Sequence, residues 1–189
     1  MVKKILQESH ALLHGHFALT SGKHSEYYIE KIRLIHNPIY VEQLCSLLAD
    51  KLHEYDNEII VGPAYGGIVL AYEIAKKLGK KFIFTQRKEE QMIIRSGFTL
   101  TKKTRAIIIE DIVTTGGSVK EVISALEENN ISVQAIGCIV DRSGGCVNFG
   151  YDFIPLLTMD IKTYNVTECP LCLLELPLTK PGASDKLKI

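Results

Sequence analysis

The sequence has no excess charge of either sign: 22 Lys and Arg stand against 22 Asp and Glu. A general binder of nucleic acid or anionic membranes carries a basic surplus, so both classes are disfavoured for the chain as a whole. Long apolar runs are also missing. The longest uncharged stretch, Ile59 to Tyr72, is interrupted by glycines and Pro63 and is too short to span a bilayer. The opening MVKKILQESHALL has no apolar core of signal-peptide length. The five cysteines (Cys45, Cys138, Cys146, Cys169, Cys172) are odd in number and irregular in spacing, which fits reduced thiols better than a disulfide framework. A cytoplasmic protein with no nucleic-acid or membrane partner is the expectation. There is no G-x-x-x-x-G-K-[ST], no G-x-G-x-x-G after the first strand and no H-E-x-x-H. Internal repeats and low-complexity segments are lacking too.

What is present reads as one domain. With 189 residues, 46% of them hydrophobic and 23% charged, the chain matches the globular average. Ile5, Leu6, Leu12 and Leu13 recur at helical spacing, predicting an amphipathic first helix. Asn37-Pro38 reads as an N-cap and a first helical position, and Val41, Leu44, Cys45, Leu48 and Leu52 supply the apolar stripe of the helix that follows. Strands are expected at 58–62, 81–86, 105–111, 132–141 and within 152–160. A helix after GPAYGG closes at Gly79, and a second helix spans SVKEVISALEENN. Strands alternating with helices predict an α/β fold with a mainly parallel central sheet flanked by helices. Ligands then belong just beyond the carboxyl ends of the strands. The tail, with Pro170, Pro177, Pro181 and Gly182, reads as the least regular region.

The strongest motif is EDIVTTGGS, residues 110–118. A buried strand runs into Glu110 and Asp111, which are expected to emerge at its end because burying both is costly. Thr114, Thr115, Gly116, Gly117 and Ser118 then offer hydroxyls and open backbone at the start of a helix, a place suited to phosphate. Phosphate on the turn with carboxylates one step upstream matches a sugar phosphate. GPAYGG (62–67) also follows a buried strand. By itself it reads equally well as an ordinary turn or as a second anion site at Tyr65, Gly66 and Gly67. Charge is unevenly spread. Residues 80–105 hold eight basic side chains and two acidic ones, whereas 106–130 hold one lysine and five acids. Arg87 and Lys88 are the candidates to grip an anion, the first as a planar fork and the second as a point charge. Arg142, after another strand, is open to a ligand's carboxylate or carbonyl edge, or to a salt bridge with Asp141 or Asp152.

On these motifs the chain resembles the type I phosphoribosyltransferases and, more closely, the orotate phosphoribosyltransferase family. EDIVTTGGS is similar to the signature for phosphoribosyl pyrophosphate (PRPP), GPAYGG to the pyrophosphate loop, and RKEEQMIIRSGFTL (87–100) to the mobile catalytic loop. GHFALTSGKHSEYYIEK (15–31) resembles the base-binding segment, Asp141-Arg142 the base-contacting strand end, and CPLC with KPG the tail of one bacterial subgroup. The resemblance implies a small N-terminal hood (1–36), an α/β core (37–165) and an irregular tail (166–189). It implies transfer of the phosphoribosyl group from PRPP to orotate in pyrimidine biosynthesis, with Mg²⁺ carried mainly by PRPP and water and Asp111 the candidate protein ligand. It assigns catalysis to Arg87, Lys88, Arg95 and Asp111. PRPP binding falls to Tyr65, Gly66, Gly67, Glu110, Asp111, Thr114, Thr115, Gly116, Gly117 and Ser118. Orotate falls to Phe17, Thr20, Ser21, Gly22, Lys23, Lys31 and Arg142. It also implies a cis Ala64–Tyr65 peptide and a homodimer that shares loop 87–98. Where many members carry a further lysine and histidine, this chain has Gln91 and Ile93, and Arg95 is the replacement cation. Some relatives have lysine in place of Thr20. The alternatives are a phosphoribosyltransferase for another base and a non-catalytic PRPP-binding regulator.

Two clusters read as structural. His10 and His14 stand four apart on the expected first helix, with His16 nearby and no third metal ligand evident. Cys169-x-x-Cys172 is half of a zinc motif without a second CxxC, so both are read as reduced thiols, with metal shared between subunits the lesser possibility.

Overall fold

The computed structural model describes residues 1–181; Gly182, which ends the KPG motif, lies outside the described residues. The chain opens with α1 (Val2–Glu8), followed by a hairpin of β1 (Leu12–Ala18) and β2 (His24–Ile29). The expected first helix thus stops early. Ile5 and Leu6 are its buried residues, but Leu12 and Leu13 pair with Ile29 and Tyr28 across the hairpin. His10, left-handed at φ 52°, lies between helix and strand, so His10 and His14 never share a helical face. After α2 (Lys31–Ile35) comes α3 (Pro38–Leu52), capped as predicted: the Ile39 N–H donates to Asn37 Oδ1 at 3.1 Å.

The core follows as β3 (Ile59–Pro63), α4 (Gly66–Leu78), β4 (Lys81–Lys88), β5 (Gln91–Ile94), β6 (Arg105–Val113), α5 (Gly117–Glu128), β7 (Ser132–Asp141) and β8 (Asp152–Thr158). The six strands form one sheet of order β5-β4-β3-β6-β7-β8, parallel everywhere except at the β5 edge. This is the α/β class read from the sequence. Runs such as IIIE suit it because both faces of the sheet are covered. Ile60, Ile107 and Ile109 pack with α3 and α4, while Ile59, Val61 and Ile108 pack with Val119, Val122 and Leu126 of α5. Each fully buried isoleucine contributes about 1.5–3 kcal/mol.

Strand order fixes where a site can form. From β3 the chain first moves outward to β4, then returns to place β6 on the opposite side of β3. Connections diverge at such a reversal and leave a crevice beyond the carboxyl ends of the two strands.

The tail has more structure than its composition suggests. β9 (Thr163–Tyr164), a 3₁₀ turn at Val166–Glu168, α6 (Pro170–Leu173) and β10 (Leu178–Thr179) cross the hairpin. Together they make a second sheet of order β10-β1-β2-β9. Cys169 and Leu171 are buried, so apolar anchors hold the segment against the hood. No helix among the described residues is long and apolar enough to cross a membrane.

Candidate active site

Glu110 and Asp111 do not emerge at the end of β6. The strand continues to Val113, and the two acids are only 7% and 4% exposed. Their partners make this burial tolerable. The Asp111 N–H donates to Glu110 Oε1 at 2.9 Å, the Ile112 N–H donates to Asp111 Oδ1 at 2.6 Å, and Lys31 Nζ lies 2.9 Å from Asp111 Oδ2. Burial, reinforced by the adjacent Asp111 charge, pushes the Glu110 carboxyl up to about 8. For Lys31 burial acts downward, but the Asp111 carboxylate outweighs it and holds the ammonium above its ordinary value.

Two turns flank this pair. In GPAYGG the Ala64–Tyr65 peptide is cis and Tyr65 is exposed. A Cβ on Gly66 would sit 1.7 Å from Asp111 Oδ2, so the buried carboxylate itself requires glycine there. In TTGGS, Gly116 takes φ 77° as the N-cap of α5, against the ring of Phe149. The backbone N–H groups of Thr115 to Ser118 have no protein acceptor among the described residues and lie at the positive end of the α5 dipole.

A cleft of about 580 Å³ joins these parts, lined by Tyr65, Gly66, Arg87, Glu110, Asp111 and Ser118. Lys31, Phe84, Gln86 and Met92 also line it. Residues Thr114 to Ser118 close around a small adjoining hollow of about 60 Å³. Gly67 lies beneath the surface, where a Cβ would strike Pro63 and the Ile109 carbonyl. Phe84 and Gln86 were missed from the sequence, although strand alternation along β4 puts them on one face.

A second cavity of about 500 Å³ opens beside the same threonines. Thr20, Ser21, Lys23, Tyr28, Thr114, Thr115 and Arg142 line it. Arg142 Nε is buried without a hydrogen-bond partner, and burial lowers the guanidinium pKa. The alternative reading, a salt bridge to Asp141 or Asp152, is not what forms among the described residues. Asp141 accepts from the N–H groups of Ser143 and Gly145 at 2.7 and 2.9 Å, and Asp152 accepts from the Tyr55 hydroxyl at 2.9 Å.

Several predicted residues fall elsewhere. Phe17 is buried behind Tyr28, ring centroids 5.8 Å apart, so Tyr28 presents the aromatic face to the cavity. Gly22 borders a neighbouring groove. Lys31 joins the carboxylates in the cleft, away from the hood loop. Arg87 pairs with Glu121 of α5 and donates to the Glu90 carbonyl at 3.1 Å. Lys88 and Arg95 are exposed and line neither cavity.

A family model described as phosphoribosyl transferase domain matches residues 34–148. Orotate phosphoribosyltransferase of Thermotoga petrophila is 45% identical over 97% of this chain and 98% of its own length. Among solved structures, orotate phosphoribosyltransferase from Aeropyrum pernix superimposes with a TM-score of 0.73 at 25% identity, covering 84% of this chain and 94% of that one. UMP synthase of Leishmania donovani gives 0.72 at 29% identity over 84% of this chain, which spans only 36% of that protein.

Proposed function

The chain belongs to the orotate phosphoribosyltransferases of the phosphoribosyl transferase family, and on that premise we propose that it transfers the 5-phosphoribosyl group of PRPP to orotate, giving orotidine 5′-monophosphate and pyrophosphate in pyrimidine biosynthesis. One observation carries the reading. The buried carboxylate pair lies between two amide-bearing turns, and the turn at Thr114–Thr115 is shared with a cavity whose half-buried Arg142 has no hydrogen-bond partner at Nε.

In the reaction the bond from the anomeric carbon to pyrophosphate oxygen breaks, and a bond to the orotate ring nitrogen forms. Orotate attacks as its ring-nitrogen anion, so no protein nucleophile is needed. The protein contributes position and charge. The free amides and hydroxyls from Thr114 to Ser118 suit the 5′-phosphate. Glu110 and Asp111 suit the ribose hydroxyls and balance the positive charge that develops on the sugar. Tyr65, Gly66 and Arg87 border the space left for pyrophosphate. In the second cavity Arg142 is available to orotate's carboxylate, with Thr20, Ser21 and Lys23 along the ring edge.

Family members generally use Mg²⁺ with PRPP, and the residues here fit it. Asp111 is a carboxylate on the cleft wall whose Oδ2 meets the half-exposed Lys31 ammonium at 2.9 Å, a position a bound cation could take over. A hard cation prefers such an oxygen together with water and phosphate oxygens. Asp111 would hold the ion beside the ribose, and Mg²⁺ when bound supplies neutralisation of the pyrophosphate charge. Lys88 and Arg95, exposed on the β4–β5 hairpin and beyond it, are assigned to a loop that closes over the reacting groups. In a homodimer that loop serves the neighbouring subunit's site. A cytoplasmic enzyme is part of the same reading.

Incubation with PRPP, Mg²⁺ and a panel of bases tests it through pyrophosphate release. Release with orotate alone is the expected result. Release with a different base moves the specificity, and none with any base leaves a PRPP-binding regulator.

A further inference from the structure

The hood contains a second group of chemistry-bearing side chains that phosphoribosyl transfer does not use. His16 on β1, His24 on β2, and Cys169 and Cys172 in the tail each turn one ligand atom inward, and the four atoms lie within 4.8 Å of one another. Three of the residues are buried and Cys172 stands at the exposed rim. We propose that these four side chains form a closed structural Zn²⁺ site that fastens the tail to the hairpin.

The distances suit a tetrahedral ion. Zinc–sulfur bonds of about 2.3 Å and zinc–nitrogen bonds of about 2.0–2.1 Å place sulfur and nitrogen ligands about 3.6 Å apart and two nitrogens about 3.3 Å apart. His16 Nε2 lies 3.6 Å from Cys169 Sγ and 3.7 Å from Cys172 Sγ, and His24 Nδ1 lies 3.3 Å from Cys172 Sγ. The two histidine nitrogens are 2.9 Å apart and need to separate by about 0.4 Å to take an ion between them.

Hydrogen bonding explains the cluster poorly. His16 Nδ1 is 2.9 Å from the Leu176 carbonyl, which can only accept, so that nitrogen carries the proton. In the neutral ring Nε2 then keeps a single lone pair. Three polar atoms crowd that lone pair: His24 Nδ1 and both sulfurs. One lone pair cannot accept from all three, whereas one cation at the centre satisfies four ligands at once. A backbone carbonyl holding the far nitrogen is also the usual way a metal-binding imidazole is oriented. Two thiolates and two neutral imidazoles around Zn²⁺ leave no net charge in the buried pocket, and binding releases the two thiol protons to solvent. The sulfur and imidazole donors, with no carboxylate among them, favour zinc over Mg²⁺ or Ca²⁺. Four protein ligands leave no open position, which marks a structural site.

Topology gives the ion its task. The tail leaves β9 at one edge of the hood sheet and reaches β10 at the other, beside β2 and β1 respectively. The Cys169–Cys172 turn, closed by the Cys172 N–H donating to the Cys169 carbonyl at 3.1 Å, crosses between them over the two histidines.

The test is metal content. Protein expressed without a histidine tag and purified without chelator is measured by elemental mass spectrometry, and stoichiometric zinc is expected. The Cys169→Ser, Cys172→Ser double variant should lose it. Cys146→Ser, which changes an exposed cysteine outside the cluster, should keep it, and Cys172→His should retain it by conserving a ligand. Cobalt(II) exchanged into the wild-type protein should show thiolate charge-transfer and tetrahedral d–d bands, a readout that does not depend on whether a variant folds. Zinc removal by chelator should open the 165–180 segment to protease. The proposal is overturned if freshly purified protein holds no zinc while both thiols titrate as free. A Cys169–Cys172 disulfide in the intact mass, or zinc retained by the double serine variant, would also overturn it.

Discussion

The two cavities at the carboxyl edge of the sheet handle buried charge differently. In the larger cleft Lys31 pairs with Asp111 and burial keeps the Glu110 carboxyl protonated up to about pH 8, so the negative charge is masked until Glu110 ionises. In the cavity beside it Arg142 is partly buried with no carboxylate in ion-pair range among the described residues, so the surplus is positive. Thr114 and Thr115 line the second cavity and border the small hollow that adjoins the cleft. On the proposed function, a magnesium-bound sugar phosphate in the cleft would favour the ionised Glu110, and an anionic base would balance Arg142. On the proposed function the contrast assigns each cavity its own substrate and predicts that damage to one leaves binding at the other intact.

The largest effect is expected on the acidic side. Asp111→Asn should fold normally, because Lys31 is 46% exposed and can turn toward water once its partner is neutral. It should lose about 10²–10³-fold in kcat, the scale of removing one preorganised electrostatic group. Wild-type turnover would remove the carboxylates from the chemistry. Arg142→Met should raise the orotate KM about 10²-fold, as expected for truncating one partner of a desolvated charge pair, while the PRPP KM stays within about twofold. Equal loss for both substrates would erase the distinction between the cavities. Lys88→Ala should lower kcat on the order of tenfold with little change in orotate binding, since its contribution arises only as charge builds on the leaving group. Isothermal titration with orotate checks this: weakened binding with kcat unchanged would put Lys88 in the base cavity instead.

How much of this was legible depended on how local the signal was. EDIVTTGGS carries its chemistry within nine consecutive residues, and the strand, turn and helix start it implies are present. Strand periodicity likewise yielded the sheet, because its central strands β3, β6 and β7 are buried along most of their length. The burial of Glu110 and Asp111 was not legible. Two adjacent charges look unburiable until Lys31, supplied by a different part of the chain, stands beside them. Phe17 was misjudged for a related reason. A register shift between His14 and Phe17 interrupts the alternation of β1 and turns His16 and Phe17 both inward. The metal cluster was the least legible of all. Cys169 meets His16 across 153 positions of sequence. A search for a second CxxC cannot find two histidines on facing strands. The spacing of His10 and His14 suggested a helix that had already ended, and His14 faces outward to Glu26 at 2.8 Å.

The smallest effect concerns stability in the absence of substrate, and it tests the protonation of Glu110 in the cleft directly. Burial and the neighbouring Asp111 raise the Glu110 carboxyl from its ordinary 4.5 to about 8. Across that window the folded protein holds a proton that the unfolded chain releases. The contribution is therefore fully present below pH 4.5 and is lost as pH rises through 8. Glu110→Gln keeps the shape and removes the titration. The variant should match the wild type near pH 4.5 and exceed it at pH 8 by an amount on the order of 1–3 kcal/mol, less than an isolated buried acid would give because Lys31 and Asp111 respond to the same proton. For a chain of this size that is a rise in Tm of roughly 2–4 °C per kcal/mol. Differential scanning fluorimetry from pH 5 to 8 reads it. Adding PRPP with Mg²⁺ should shrink the difference, because a cation beside the pair favours the ionised wild-type carboxyl that glutamine cannot match. A difference that is flat with pH would mean that Glu110 ionises at its ordinary value, so that the empty cleft already carries a negative charge.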